Sequence, residues 1–129
     1  MTESKLETAG LLRQAAAVME KGGICRGRLF DEQGAHCALG AIEDVNHGLG
    51  AWAADTALAG MLDEIIPVEG VWDTYNKYHA RSSSYSLAKI AAWSNMLCKD
   101  EHAVACVMRA TATYLEWQHE QEAPSETNK

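Results

Sequence analysis

Residues 22–45 constrain the fold most strongly, because a helical pattern ends there, a strand-like pattern follows and a second helical pattern begins at once. Residues 24–30 alternate apolar side chains with small or polar ones, and residues 31–34 supply a turn whose Gly34 can adopt a positive φ angle. This pattern predicts a short β-hairpin. An isolated hairpin is only marginally stable in water, so we expect the apolar segment 38–42 to cover it.

The remaining periodicity predicts a mainly α fold of about five helices, with the short β-hairpin inserted after the first helix. Two consecutive glycines end the first helix, Pro67 ends the third and Asp100 caps the last. The predicted helices span residues 5–21, 37–46, 51–66, 85–98 and 101–121. In the last helix the predicted core stripe consists of Val104, Val107, Met108, Thr111, Tyr114 and Leu115.

The length of the chain favours one domain. Its 129 residues are enough to bury a hydrophobic core, and no internal repeat or linker divides them. We therefore expect a single compact globular domain over residues 1–121. The polar segment 122–129, which contains Pro124, is predicted to be a disordered tail.

The charge distribution argues against two classes of partner. The net charge is −7 and Lys and Arg form no dense run, which predicts binding to neither nucleic acid nor an anionic membrane. No apolar run reaches the ~20 residues needed to span a bilayer, and the N-terminus lacks a signal-peptide pattern. We expect a cytoplasmic protein whose four cysteines are reduced thiols.

The cysteine and glycine spacings favour neither a metal site nor a nucleotide cofactor. No C-x-x-C pair is present, and the glycines match neither a P-loop nor a dinucleotide-binding fingerprint. Cys37, at a predicted helix start, is the best candidate for a nucleophile, with His36 or His79 as its base. A small enzyme or ligand-binding domain built on this Cys/His pair is therefore the alternative function, although a buried structural cysteine is the more common situation.

Residues 71–81 differ in composition from the rest of the chain. Aromatic side chains alternate there with cationic ones, and such residue types dominate the energetics of protein interfaces. The candidate binding residues are Trp72, Tyr75, Tyr78, His79 and Arg81. A competing interpretation is that the aromatic side chains only close the core under a long connection.

A second aromatic pair, Tyr114 and Trp117, lies near the C-terminus. It could cover a helix or a second copy of the chain. Self-association as a homodimer is therefore a further interpretation, beside binding to another protein.

Two stretches together resemble a small family of uncharacterised proteins from actinobacteria and their phages. They are residues 22–42 and the Ile-Ala-Ala-Trp-Ser-Asn run at 90–95, which is followed by the helical segment 104–112. Ile24 replaces a tryptophan, and Ser94-Asn95 replaces an Asn-Asp pair. The family has no assigned activity, so the resemblance points to none, but it implies a phage or accessory-gene origin. The leading hypothesis is thus a noncatalytic protein-interaction module, a phage accessory protein that binds a host protein.

Overall fold

The computed structural model describes residues 5–46, 51–66 and 85–127. Five α-helices form most of these ranges, so the mainly helical prediction is confirmed. They are α1 (Lys5–Gly22), α2 (Ala38–Val45), α3 (Ala51–Ile65), α4 (Tyr85–Ala92) and α5 (Glu101–Thr127). A π-helical turn, Trp93–Leu97, continues α4.

Helices α1 and α5 pack side by side in opposite directions. Three ion pairs join them in antiparallel order: Lys5 with Glu122, Arg13 with Glu116, and Glu20 with Arg109. Hydrogen bonding to Arg109 lowers the pKa of Glu20 to about 2. Exposed ion pairs contribute little free energy individually, so their main effect is to define how the two helices are aligned.

The core between the helices is made of aliphatic and small side chains. Leu12 and Met19 of α1, and Val104 and Met108 of α5, are fully buried. Many of the other buried positions are alanines, which let helix backbones approach closely. Helix α2 packs against α1, and α3 packs against α4. The buried Lys89 of α4 forms an ion pair with Asp63 of α3.

The predicted helix ends depend on two local signals that the structure confirms. Gly23 follows α1 with a φ angle of +87°, which an L-residue rarely adopts. The Asp100 side chain accepts a hydrogen bond from the Ala103 amide at 3.0 Å and so caps α5.

The structure does not support the predicted β-hairpin. In residues 23–37, hereafter the clamped loop, only isolated bridges form, from His36 to Ile24 in parallel sense and to Phe30 in antiparallel sense. Gly27 adopts a φ angle of +82° and the chain bends over residues 26–29, so residues 24–30 do not run extended. The alternating pattern is therefore not evidence of two paired strands here.

The predicted core stripe of α5 is confirmed at Val104, Met108, Thr111 and Leu115, which are buried, and Tyr114 is the exception. Tyr114, predicted in the core stripe, is 48% exposed, whereas Ala105 and Ala112 are fully buried. The helix also continues to Thr127, beyond the predicted end at Gln121. The division into a domain at 1–121 and a tail at 122–129 stays a prediction.

The candidate binding residues Trp72, Tyr75, Tyr78, His79 and Arg81 lie outside the described residues. Among the helices of the described ranges, none is long and apolar enough to cross a membrane.

Candidate functional site

Arg26 connects the clamped loop with the π turn. Its Nη1 donates to the carbonyl oxygens of Ser94 and Asn95, both at 3.1 Å. Its Nη2 donates to those of Cys98 and Lys99, at 2.8 and 3.2 Å. The guanidinium suits this arrangement because its donors point in fixed directions within one plane. A single side chain thus binds four backbone carbonyls that lie far away along the chain.

The π turn makes these carbonyls available. The Cys98 amide donates to the Trp93 carbonyl, five residues back, at 3.0 Å. The last carbonyls of any helix lack partners within the helix, so those of this turn can accept from Arg26. The Trp93 side chain is buried and anchors the turn in the core. Such single π-helical turns occur frequently at functional sites.

Two side chains of the π turn complete the connection. Ser94 Oγ, which is fully buried, accepts a hydrogen bond at 3.0 Å from the amide of Ala38, the first residue of α2. Asn95 Oδ1 accepts one at 3.2 Å from the amide of Gly27. Both bonds satisfy backbone donors that secondary structure leaves unpaired. The two stretches that carry the sequence resemblance, 22–42 and 90–95, therefore meet in space.

The second half of the clamped loop is held by a local turn. Asp31 Oδ1 accepts from the amides of Gln33 and Ala35, both at 2.9 Å. Gly34 has a φ angle of +90°, which confirms the predicted turn conformation. An aspartate that accepts from the amides after it is a common stabiliser of such turns.

The loop also rests directly on α2. The Cys37 amide donates to the Leu29 carbonyl at 3.0 Å, and Gly40 lies directly beneath that carbonyl. A Cβ atom at Gly40 would lie 1.8 Å from the Leu29 oxygen. Only glycine at position 40 therefore allows this contact.

His36, near the end of the clamped loop, contacts α2. Its Nε2 is 3.6 Å from Asp44 Oδ2, and its ring centroid is 6.3 Å from that of Phe30. Its buried Nδ1 has no hydrogen-bond partner among the described residues. The ring of His36 thus lies beside both Phe30 and Asp44.

The two connected segments expose large apolar side chains. On the clamped loop, Phe30 is 61% exposed and Leu29 is 37% exposed. On the π turn, Met96 and Leu97 are also exposed. Backbone hydrogen bonds hold both segments in place, so these side chains extend from a well-defined support.

The surroundings of Cys37 oppose nucleophilic chemistry. The residue is the N-cap of α2, as its position in the sequence indicates, and Sγ accepts from the Gly40 amide at 3.5 Å. It is also buried, and burial raises the pKa of the Cys37 thiol. His36 contacts Asp44 and Phe30 instead of the sulfur. The alternative Cys37/His36 site stays a prediction that this environment disfavours.

The other thiols and acidic groups form no metal-binding cluster in the part of the chain that the structure describes. Cys98 is buried, and burial raises the pKa of its thiol to about 12. Burial also raises the pKa of Asp55 on α3 to about 7, with the Glu43 charge as a lesser cause.

Sequence reasoning missed Arg26, Asn95 and Phe30. A single arginine between two small residues is no signal by itself, because its acceptors lie 68 to 73 positions away. The Ser94-Asn95 pair was visible as part of the resemblance, but its hydrogen-bond partners were not.

The fold and the site together define a small helical domain whose irregular loop is fixed to a π turn. The chain belongs to DUF6197, a family of unknown function, whose family model matches residues 3–114. No curated protein matches the chain, and no solved structure matches it.

Proposed function

We propose that the protein is a noncatalytic interaction module that binds another protein through the apolar side chains of the clamped loop and the π turn. The observation that carries the proposal is Phe30, an aromatic side chain that is 61% exposed. It lies on a loop that hydrogen bonds fix to the π turn. A binding surface that is already ordered loses less conformational entropy on association. Aromatic anchors of this kind dominate the energetics of interfaces.

The segment around Trp72, Tyr75, Tyr78, His79 and Arg81 is a second binding surface within this proposal. Its support is the residue types themselves, since Trp, Tyr and Arg are enriched at interface hot spots. The two surfaces are tested by separate variants, so one can fail without the other.

The proposal also specifies the kind of partner and where the two proteins meet. The net charge of −7 supports a protein partner over a nucleic acid. All four cysteines are free thiols, which supports the reducing environment of the cytoplasm. The resemblance to phage and actinobacterial proteins supports a phage accessory protein whose partner is a host protein.

The test is affinity capture of the tagged protein from the lysate of its own host, followed by reconstitution with the purified prey. We expect one dominant prey whose dissociation constant rises at least ~10-fold with Phe30→Ala, because removing a central aromatic anchor costs 1.4 kcal/mol or more, as an order-of-magnitude estimate. Tyr75→Ala combined with Arg81→Ala tests the second surface.

Trp52→Ala is the matched control. Trp52 is the most exposed large apolar residue of the described ranges, at 79%, and it lies on α3, which belongs to neither segment. Circular dichroism confirms that each variant folds. Unchanged binding of the reconstituted prey by the Phe30 variant and by the double variant would contradict the proposal.

A further inference from the structure

The side of α5 that faces away from the core carries an exposed aromatic pair. Tyr114 and Trp117 are 48% and 53% exposed, and their rings stack with centroids 5.9 Å apart and planes 18° apart. The helical repeat of 100° per residue places them on the same side of the helix as Ala103, Cys106 and Ala110, of which Ala103 is partly buried against the core. We call these five residues the outer face of α5.

The outer face is self-complementary in size. Large rings occupy its C-terminal half, whereas the N-terminal half has only small side chains. A two-fold axis that passes through Ala110, perpendicular to α5, generates a second copy with an antiparallel helix. It places Trp117 of the partner subunit opposite Ala103, because both positions are seven residues from Ala110. By the same symmetry, Tyr114 of the partner subunit lies opposite Cys106. Each ring therefore meets a small side chain, as an isologous interface requires.

The charges around the outer face permit this contact. None of its five residues is charged, although the chain has a net charge of −7. Two charged side chains at its rim, Glu116 and Arg109, already form bidentate ion pairs with α1. A second copy therefore meets a neutral, matching surface along these five residues.

We propose that the outer face of α5 is a two-fold antiparallel interface between two copies of this chain. Each aromatic ring has about half of its surface left to bury, on the order of 100 Å². Four rings supply about 400 Å² and the adjoining small residues add less than that, so the contact falls below the ~1,000 Å² lower limit of stable specific interfaces. The dimer is therefore weak and forms only at high protein concentration. This surface is separate from the clamped loop, so the proposal is independent of the proposed function.

The first test is sedimentation equilibrium of the full chain from about 10 µM to about 1 mM. We expect the mass to rise from monomer to dimer over that range. Trp117→Ala removes a ring, and Ala110→Glu places two like charges at the axis, so each weakens the dimer at least ~10-fold. Trp52→Ala, which removes an exposed tryptophan from α3, leaves it unchanged. A monomeric mass throughout, or a dimer that neither substitution weakens, would overturn the proposal.

The second test determines the orientation of the two helices. Tyr114→Cys places a thiol opposite Cys106 of the partner subunit, so oxidised glutathione should join the two as an intermolecular disulfide while it is itself reduced. Adding Cys106→Ser to the same chain should abolish this crosslink. A parallel dimer would instead crosslink through Cys106 in the wild-type chain, and that result would refute the antiparallel arrangement.

Discussion

Replacing Arg26 with alanine should destabilise the fold far more than an exposed loop residue normally does. The substitution removes four hydrogen bonds to carbonyl oxygens. Those with Ser94 and Cys98 are partly buried, whereas those with Asn95 and Lys99 are exposed and their carbonyls can bind water. Each partly buried carbonyl left unpaired costs about 1–2 kcal/mol, which gives a loss of about 2–4 kcal/mol in the free energy of unfolding.

Urea denaturation and calorimetry measure this loss. In a domain of this size, a loss of about 3 kcal/mol lowers Tm by about 10 °C. Arg28→Ala is the matched control, because the Arg28 side chain forms no hydrogen bond within the described residues; it should change stability by less than ~0.5 kcal/mol. Arg26→Lys should fall between the two, since an ammonium group reaches fewer of the four carbonyls.

Equal stability of the Arg26→Ala and Arg28→Ala variants would refute the reasoning. It would mean that water replaces Arg26 at all four carbonyls, and that the clamped loop does not depend on the π turn.

Three further perturbations test other parts of the structure. Gly40→Ala should cost at least ~3 kcal/mol in urea denaturation because its Cβ collides with the Leu29 carbonyl, whereas Gly10→Ala, which has open space, should be neutral or stabilising. The raised pKa of Asp55 means that the folded state keeps a proton which the unfolded state loses between pH 4 and about 7, so the stability should fall as pH rises through that window. The shift corresponds to about 4 kcal/mol, which solvent screening of this partly exposed group reduces to about 2 kcal/mol, and Asp55→Asn should remove the dependence in urea denaturation at each pH. In alkylation followed by mass spectrometry, exposed Cys106 should react first and buried Cys37 much later. The opposite order would support a reactive Cys37 and the alternative enzymatic function.

The helices could be predicted from the sequence because their signals are local. The two glycines at the end of α1, the Asp100 cap and the 3.6-residue periodicity act within a few positions of the helix they define. Tyr114 shows where periodicity stops being sufficient. Aromatic and small residues both fit a stripe pattern, and only packing against α1 decides that Ala105 and Ala112 face the core instead.

The candidate site could not be predicted because its contacts are distant along the chain. The alternation in residues 24–30 is typical of a strand, yet Arg26 turns toward the π turn and Gly27 bends the backbone. The position of Cys37 at a helix start was visible in the sequence. Its burial, which raises the pKa of the thiol, depends on how the surrounding helices and loop pack in space, and the sequence pattern does not specify that packing.

Amide hydrogen exchange by NMR tests most directly whether the clamped loop and the π turn form one ordered unit. The Gly27 amide lies in an exposed loop, and its only acceptor in the described structure is Asn95 Oδ1. The neighbouring Arg28 amide has no acceptor there. We predict that Gly27 exchanges at least ~10-fold more slowly than Arg28 after correction for intrinsic rates, and that Asn95→Ala removes the difference. Equal exchange of the two amides in the wild-type protein would contradict the account.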